Sequence, residues 1–296
     1  ITPKIEEYLR KKIERVYSDE ARTGIFEEDN PFLEMISDDL LETSVAVANR
    51  WKEEFVVSEN QKTNDLVFIQ FSKEGVDHFA FLRIALRETL THLGGEVDNP
   101  IKLTQNNLPG FGTGADEALV INLQSRKYHL IEKRIKYNGT FLNYFSENLL
   151  QAQPKISPKK SIKALEKTAQ KIAESFNTDD FQFQSKVKSA IFNHIEEENK
   201  LSPEKLADDL FNDNLTARLS FIDQVKEAVP EPVTFEEIDA SRQLKKFENQ
   251  KLSLSNGIEL IVPNNVYEDA ESVEFILNDN GTYSILIKNI EDIQSK

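Results

Sequence analysis

Six lysines concentrate positive charge in the stretch KISPKKSIKALEKTAQK, which holds a single glutamate. They are Lys155, Lys159, Lys160, Lys163, Lys167 and Lys171. An ammonium group carries a positive charge and donates hydrogen bonds, so this lysine run can bind the phosphates of a polyanion such as double-stranded DNA. A solvated helix face is the other common use of a charge run, and the residues leave both interpretations open.

A helix has to position these lysines, and Ser157-Pro158 predicts where it begins, because proline is favoured in the first helical turn. At about 100° per residue, one narrow apolar stripe comprises Ile162, Leu165, Ala169, Ile172 and Phe176. The nearly opposite side carries Lys159, Lys160, Lys163, Lys167 and Lys171. Lysines four residues apart repel each other by a few tenths of a kcal/mol. Helix stability therefore does not explain the pattern.

The lysine run belongs to a wider basic segment in an acidic chain. The formal net charge is −15, with 51 acidic and 36 basic residues, yet residues 126–171 hold eleven basic residues and three acids. The first part of this segment supplies further candidate contacts: Arg126, Lys127, Lys133, Arg134 and Lys136. Opposite faces of a compact chain of this size lie several Debye lengths of about 8 Å apart. A basic segment can therefore attract phosphate although the rest of the chain is acidic. The basic residues of Arg126–Tyr137 have an alternative interpretation, in which they protect the edge strand of a sheet.

No motif in the sequence indicates catalysis, a metal or a cofactor. The absence of cysteine excludes disulfides and thiolate chemistry and fits a reducing cytosol. The four histidines share no ligand spacing. The sequence GFGTGA (110–115) precedes a strand-like run, whereas a phosphate loop requires a helix there. No apolar run approaches the length of about 18 residues that crosses a membrane. We predict a non-enzymatic protein with no metal, no cofactor and no membrane partner.

Residue periodicity predicts an α+β fold with an N-terminal antiparallel sheet, flanking helices, a central helical region and a small C-terminal β-hairpin unit. Thr2-Pro3 and Asn30-Pro31 predict the starts of two N-terminal helices. Strands are predicted at Leu66–Phe71, His78–Leu86, Ala118–Leu123 and Lys127–Ile135. Residues 140 to about 229 have helical periodicity. Asn256-Gly257 and Asn280-Gly281 predict two hairpin turns.

Two domains are predicted from this order of elements. Residues 1–137 form the N-terminal α+β domain. Residues 138–296 form the helical region followed by the β unit, at about residues 252–290.

Three stretches resemble bacterial nucleoid-associated proteins of the NdpA/YejK type. They are ITPKIEEYLRKKIERVYSDEARTGIF, YNGTFLNYFSENLLQAQPKISPKKSIKALEKTAQKI and LSLSNGIELIVPNNVYEDAESVEFILNDNGTYSILIKNI. The resemblance covers nearly the whole chain as loosely spaced landmarks. It implies a cytoplasmic protein of the nucleoid that binds double-stranded DNA and has no established catalytic residue or cofactor. Members usually begin with a further strand-like segment, which implies a sheet one strand larger than residues 1–296 supply.

Two functions are consistent with these features. The first is a DNA-binding protein that contacts duplex phosphates through the lysine helix with little base specificity, with nucleoid proteins as additional partners. The second is an acidic interaction protein that docks a basic nucleoid partner, so that its DNA contact is indirect. No pattern in the sequence indicates an oligomeric state.

Overall fold

The computed structural model describes residues 1–58, 62–92, 101–178 and 180–294. They form two compact units, Ile1–Pro158 and Lys159–Lys296. Helices and antiparallel strands are both abundant, and they are grouped in different parts of the chain. The predicted α+β class is confirmed.

The N-terminal unit is built around strands. Its helices are α1 (Pro3–Glu14) and α2 (Leu40–Val56), with short helical turns at Arg15–Tyr17, Leu33–Met35 and Phe145–Leu149. Its strands are β1 (Arg22–Ile25), β2 (Asn64–Lys73), β3 (Val76–Ala85), β4 (Arg87–His92), β5 (Ile101–Asn107), β6 (Glu117–Asn122), β7 (Lys127–Ile131), β8 (Ile135–Tyr137) and β9 (Thr140–Leu142). Within the described residues, five strands form one antiparallel sheet in the order β1-β7-β6-β3-β2.

Strand β3 lies inside this sheet and is buried on both faces from His78 to Ala85. On one face Phe79 and Phe81 join a cluster that includes Trp51 of α2. On the other face Leu82 joins a cluster that includes Val16, just after α1. Because both faces are covered, the strand has a nearly continuous apolar sequence instead of alternating apolar and polar residues.

Three of the four predicted strand segments are confirmed, and the fourth, Lys127–Ile135, is a strand only as far as Ile131 before β8 begins at Ile135. The helix predicted at Asn30-Pro31 is wrong. Asn30 is buried. Its side-chain oxygen Oδ1 accepts from the backbone amide of Phe32 at 2.9 Å, and its side-chain Nδ2 donates to the backbone oxygens of residues 150 and 151. Helix α2 begins at Leu40 instead. Its N-cap is Asp39, whose carboxylate accepts from the amide of Leu41 at 2.7 Å. Asn30 therefore fixes a tertiary contact, while a later acid caps the helix.

The compact units divide after Pro158, whereas the sequence placed the domain boundary at residue 137. Residues 138–158 belong to the N-terminal unit because their apolar side chains complete its core. Tyr144, Phe145, Leu149 and Leu150 are all 2% exposed or less and join the cluster around Trp51. Helical periodicity was predicted for this segment, yet it begins with β9 and then forms a short π-helical turn.

The C-terminal unit is mainly helical and ends in hairpins. Its helices are α3 (Pro158–Ser175), α4 (Phe183–Glu198), α5 (Pro203–Leu210), α6 (Leu215–Ala228), α7 (Ser241–Phe247) and α8 (Asn264–Tyr267). Its strands are β10 (Lys200–Leu201), β11 (Val233–Thr234), β12 (Asn249–Ser253), β13 (Glu259–Pro263), β14 (Val273–Leu277) and β15 (Tyr283–Ile287). One apolar cluster joins α3 to α4, α5, α6 and α7.

The two predicted hairpins are confirmed. Strand β12 pairs with β13 around Gly257, and β14 pairs with β15 around Gly281. Both glycines have positive φ angles, +86° and +79°, which residues with a Cβ atom rarely adopt. The Asn-Gly pairs therefore predict these turns because each turn needs a residue that can adopt a positive φ angle.

Candidate nucleic-acid interface

Helix α3 begins at Pro158, as the sequence predicted, and its apolar stripe faces the core of the C-terminal unit. Ile162, Leu165, Ala169 and Ile172 are each 1% exposed or less. Phe176 follows the helix and packs against the same cluster while partly exposed. Burial of this stripe fixes the rotation of α3, and the rotation determines which side chains face solvent.

The opposite side of α3 carries five exposed lysines, here called the lysine row: Lys159, Lys160, Lys163, Lys167 and Lys171. At about 100° per residue they occupy roughly one third of the helix circumference. The row is about 18 Å long, since an α-helix rises about 1.5 Å per residue. That length corresponds to about five phosphates of one DNA strand, which carries one charge for about every 3.4 Å measured along the duplex axis.

The acids of α3 do not neutralise the centre of the lysine row. Glu166 pairs with Lys246 of α7 at 3.4 Å, and Glu174 accepts from the amide of Gln170 at 3.0 Å. Lys160, Lys163 and Lys167 form no salt bridge within the described part of the chain. Their ammonium groups are therefore available to an external anion.

The two ends of the lysine run have neighbours. At one end, Lys171 donates to the side-chain oxygen of Gln224 on α6 at 3.0 Å. At the other, Lys155 is exposed but belongs to the N-terminal unit, where its amide donates to the backbone oxygen of Thr23 at 2.8 Å. The sequence grouped Lys155 with the helix, whereas the structure places it on a segment that packs beside β1.

The additional basic candidates lie in the N-terminal unit, where Arg126, Lys133 and Arg134 have the following partners. Arg126 pairs with Glu28 at 3.1 Å, and Lys133 pairs with Asp116 at 3.4 Å. Arg134 donates to the backbone oxygen of Phe141 at 2.5 Å. The remaining two candidates, Lys127 and Lys136, are exposed. Three of the five positive charges in residues 126–136 are therefore partly offset by local partners.

A buried charged network in the N-terminal unit had no counterpart in the sequence analysis. Arg83 of β3 donates to Glu117 of β6 at 2.7 Å, and the hydroxyl of Tyr144 donates to the same carboxylate oxygen at 2.5 Å. Trp51 donates to Tyr144 at 3.1 Å. Burial raises the pKa of Glu117, and the donors Arg83 and Tyr144 offset part of this effect. With Arg83 3% exposed and Glu117 fully buried, a substrate cannot reach the network, and we assign it to architecture.

The glycine-containing segment GFGTGA is held by a second buried charge. The ammonium of Lys12 is fully buried and donates to the backbone oxygens of Gly110, at 2.9 Å, and Thr113. It also lies 4.3 Å from the ring centroid of Tyr8, whose hydroxyl donates to the Pro109 oxygen. The loop thus directs carbonyl oxygens at a cation, which is the opposite of a phosphate-binding loop.

The histidines are dispersed in the structure as they are in the sequence. His78 lies on β3 with its ring nitrogen 2.9 Å from the Val76 oxygen, and His129 packs against Tyr17 with the two rings tilted. His194 approaches Asp209 at 2.7 Å. The described residues contain no group of three or more histidine or acidic side chains positioned for a metal ion. Their helices are also too short or too polar to span a membrane.

An α+β fold that exposes a lysine row on one helix, with Lys160, Lys163 and Lys167 forming no salt bridge among the described residues, has the electrostatic character of a polyanion-binding protein. The comparison with known families is consistent with this class. The family NA37, nucleoid-associated protein YejK, matches residues 2–293, and the chain belongs to this family. The resemblance found in the sequence is confirmed. Neither a curated protein nor a solved structure matches the chain.

Proposed function

We propose that this chain binds double-stranded DNA through the lysine row of α3, as a non-enzymatic, cytoplasmic protein of the bacterial nucleoid. The observation that carries the proposal is the exposure of Lys160, Lys163 and Lys167 without salt-bridge partners among the described residues. The family supports the nucleoid-associated role. The proposed contact between the lysine row and DNA phosphates is inferred from the charge and the geometry of α3.

The chemistry of the row favours phosphate contact over base recognition. Lysine presents a flexible point charge, whereas base discrimination in the major groove depends mainly on arginine and amide side chains. The exposed face of α3 contains no arginine, and its Gln170 is engaged with Glu174. We therefore expect DNA of different sequences to bind with similar affinity.

Salt dependence tests this proposal quantitatively. With about five phosphate contacts, the logarithm of the affinity should fall with the logarithm of salt concentration with a slope of about −4 to −5. Replacing Lys159, Lys163 and Lys167 with glutamine should reduce the steepness of the slope by nearly three units. It should also lower the affinity for DNA of every sequence by a similar factor. An unchanged slope would exclude α3 as the contact.

A matched control is available in the N-terminal unit. Replacing Arg126, Lys133 and Arg134 with glutamine also removes three positive charges, so the net charge changes equally. These side chains already have local partners, and we expect the slope to change by less than about one unit. Equal effects of the two triple variants would show that total charge, and not the α3 surface, determines binding.

A second candidate function is supported by an acidic cleft of about 560 Å³ in the C-terminal unit. Its carboxylates are Glu197, Glu198, Asp208, Asp209 and Glu268, and its lining also includes Lys186, His194 and Lys205. Three of these carboxylates have local partners, since Glu198 pairs with Lys205, Asp208 with Arg218 and Asp209 with His194, which leaves Glu197 and Glu268 for a partner protein. This surface suits a basic partner protein, with DNA bound only through that partner. A gel shift with plasmid and purified protein free of nucleic acid separates the two: direct binding supports the lysine row, and no shift supports the adaptor.

A further inference from the structure

A second cavity of the C-terminal unit, here called the aromatic cavity, has a volume of about 570 Å³. Four aromatic side chains contribute to its lining: Phe183, Phe211, Tyr267 and Phe275. Phe183 and Phe211 are almost fully buried, whereas Tyr267 and Phe275 are partly exposed, with their ring centroids 5.4 Å apart. Ligand-binding cavities commonly have this size and an aromatic lining. The aromatic cavity can therefore hold a bulky apolar group.

The aromatic cavity adjoins the acidic cleft, because Lys186 and Glu268 line both. One side of helix α4 forms a wall of both, from Gln182 in the aromatic cavity to Glu198 in the acidic cleft. At about 1.5 Å per residue this wall is about 24 Å long. The two cavities together are here called the α4 groove, and they can hold a chain segment longer than a single side chain.

Three carboxylates of the α4 groove have no cationic partner within the described residues. Asp213 lines the aromatic cavity, Glu197 lines the acidic cleft, and Glu268 lines both. All three are exposed and form no salt bridge in the described part of the chain. Lys186, the basic residue that the two cavities share, donates to the backbone oxygen of Leu210 at 3.3 Å. The groove therefore combines an apolar cavity with a negative rim.

We propose that the α4 groove binds a segment of a partner protein in which an aromatic side chain is flanked by arginine or lysine residues. The aromatic side chain fills the aromatic cavity and covers Tyr267 and Phe275. A basic residue beside it contacts Asp213 or Glu268, and a further basic residue contacts Glu197. A buried aromatic anchor with charged pairs around it is a common arrangement at protein interfaces.

Charge complementarity identifies the occupant as a basic partner. A second copy of this chain has a net charge of −15, which opposes docking against the negative rim. Its lysine run has the required charge but lacks the anchor, because the nearest aromatic residue in the sequence, Phe176, packs against its own core. Arginine suits both parts of the groove, since its guanidinium pairs with carboxylates and stacks on aromatic rings.

This inference rests on the second candidate function, the docking of a basic partner at the acidic cleft, and names the chemistry of that partner. It holds whether or not the lysine row binds DNA, because the groove and the row consist of different residues. The test below contains no DNA, so its failure leaves the salt test of the lysine row unaffected.

A labelled peptide tests the groove directly. The probe has blocked ends and one tryptophan between two pairs of arginines, and fluorescence anisotropy measures its affinity. Replacing the tryptophan with serine should weaken binding at least about tenfold, because the buried anchor is lost. Replacing the arginines with citrulline, which keeps their shape and removes their charge, should weaken binding by a similar factor. Both comparisons change only the peptide, so a folding defect cannot imitate them.

Matched protein variants locate the binding surface. Asp213→Asn combined with Glu268→Gln removes two carboxylates of the groove and should weaken binding of the probe about fivefold. Asp223→Asn combined with Glu227→Gln on α6 removes the same charge from exposed residues that line neither cavity, and should change the affinity less than about twofold. Phe275→Ser should reduce the advantage of the tryptophan peptide over the serine peptide, with thermal unfolding as the check on folding.

Three results with the probe would overturn the proposal. They are no binding at probe concentrations up to about 1 mM, equal affinities for the tryptophan and serine peptides, and equal losses in the two double variants. Analytical ultracentrifugation supplies a fourth: self-association of the chain that the probe displaces would identify the occupant as a second copy.

Discussion

The two units place their basic residues in different environments. In the N-terminal unit Arg83, Lys12 and Arg22 are buried or half-buried and donate to carboxylates or carbonyl oxygens. In the C-terminal unit the lysine row stands in solvent, and its central members have no salt-bridge partner within the described residues. The difference shows that positive charge in a sequence indicates a binding surface only where the fold leaves it uncompensated.

This comparison limits the candidate DNA contact to one part of the basic segment, residues 126–171, that the sequence analysis identified. Residues 126–136 and the lysine run have similar densities of positive charge, but Arg126, Lys133 and Arg134 are engaged by their own unit. These are surface contacts, with Lys133 67% exposed and Arg126 34% exposed, so each partner offsets a positive charge locally while contributing little to stability. Exposed lysines at i,i+4 spacing slightly weaken their helix, so helix stability does not explain the lysine row.

The largest effect on folding is expected from Glu117→Ala. It leaves the buried guanidinium of Arg83 without its carboxylate and should lower the free energy of unfolding by about 3–5 kcal/mol. Urea denaturation measures the change. The surface variant Glu174→Ala is the control and should alter stability by less than about 0.5 kcal/mol. Similar losses in both variants would contradict the assignment of the buried pair to architecture.

A smaller effect is expected from Lys12→Met. The backbone oxygens of Gly110 and Thr113 lose their donor, and the free energy of unfolding should fall by about 1–3 kcal/mol. Burial, followed by the charges of Arg15 and Arg87, lowers the pKa of Lys12.

The pKa shift of Lys12 gives this variant a pH signature. Because the unfolded chain binds the proton more tightly, this group's contribution to stability increases as pH rises from the lowered folded value towards 10.5 and is constant below it. Unfolding measured as the pH is raised to 10.5 should show this rise in the original chain relative to Lys12→Met. If the difference in free energy of unfolding between the two proteins did not change with pH, the interpretation of Lys12 as a buried charged group would be contradicted.

The smallest effect on folding is expected at the lysine row itself. Lys163→Ala removes i,i+4 repulsion and introduces a better helix former, so stability should stay the same or rise by a few tenths of a kcal/mol. The same change should weaken DNA binding at low salt. A loss above about 1 kcal/mol in thermal or urea unfolding would mean that Lys163 has a structural role.

Local patterns in the sequence predicted much of this architecture. The 3.6-residue period predicted which side of α3 faces the core, and the Asn-Gly pairs predicted both C-terminal hairpin turns. Both features are determined by residues close together in the sequence. The start of α2 was missed because Asn30 makes a tertiary contact with residues 150 and 151. Likewise, no local rule pairs Arg83 with Glu117, or Lys12 with a loop about 100 residues away. The apolar run around Arg83 was the available clue that its charge needed a partner.

Lysine footprinting tests the central claim most directly. The protein is acetylated with and without a DNA duplex at low salt, and mass spectrometry reports the modification of each lysine. We expect DNA to protect Lys160, Lys163 and Lys167 and to leave Lys133 unchanged. Protection concentrated at residues 126–136, or no protection on α3 under conditions where the duplex is bound, would contradict the assignment of the lysine row as the DNA contact.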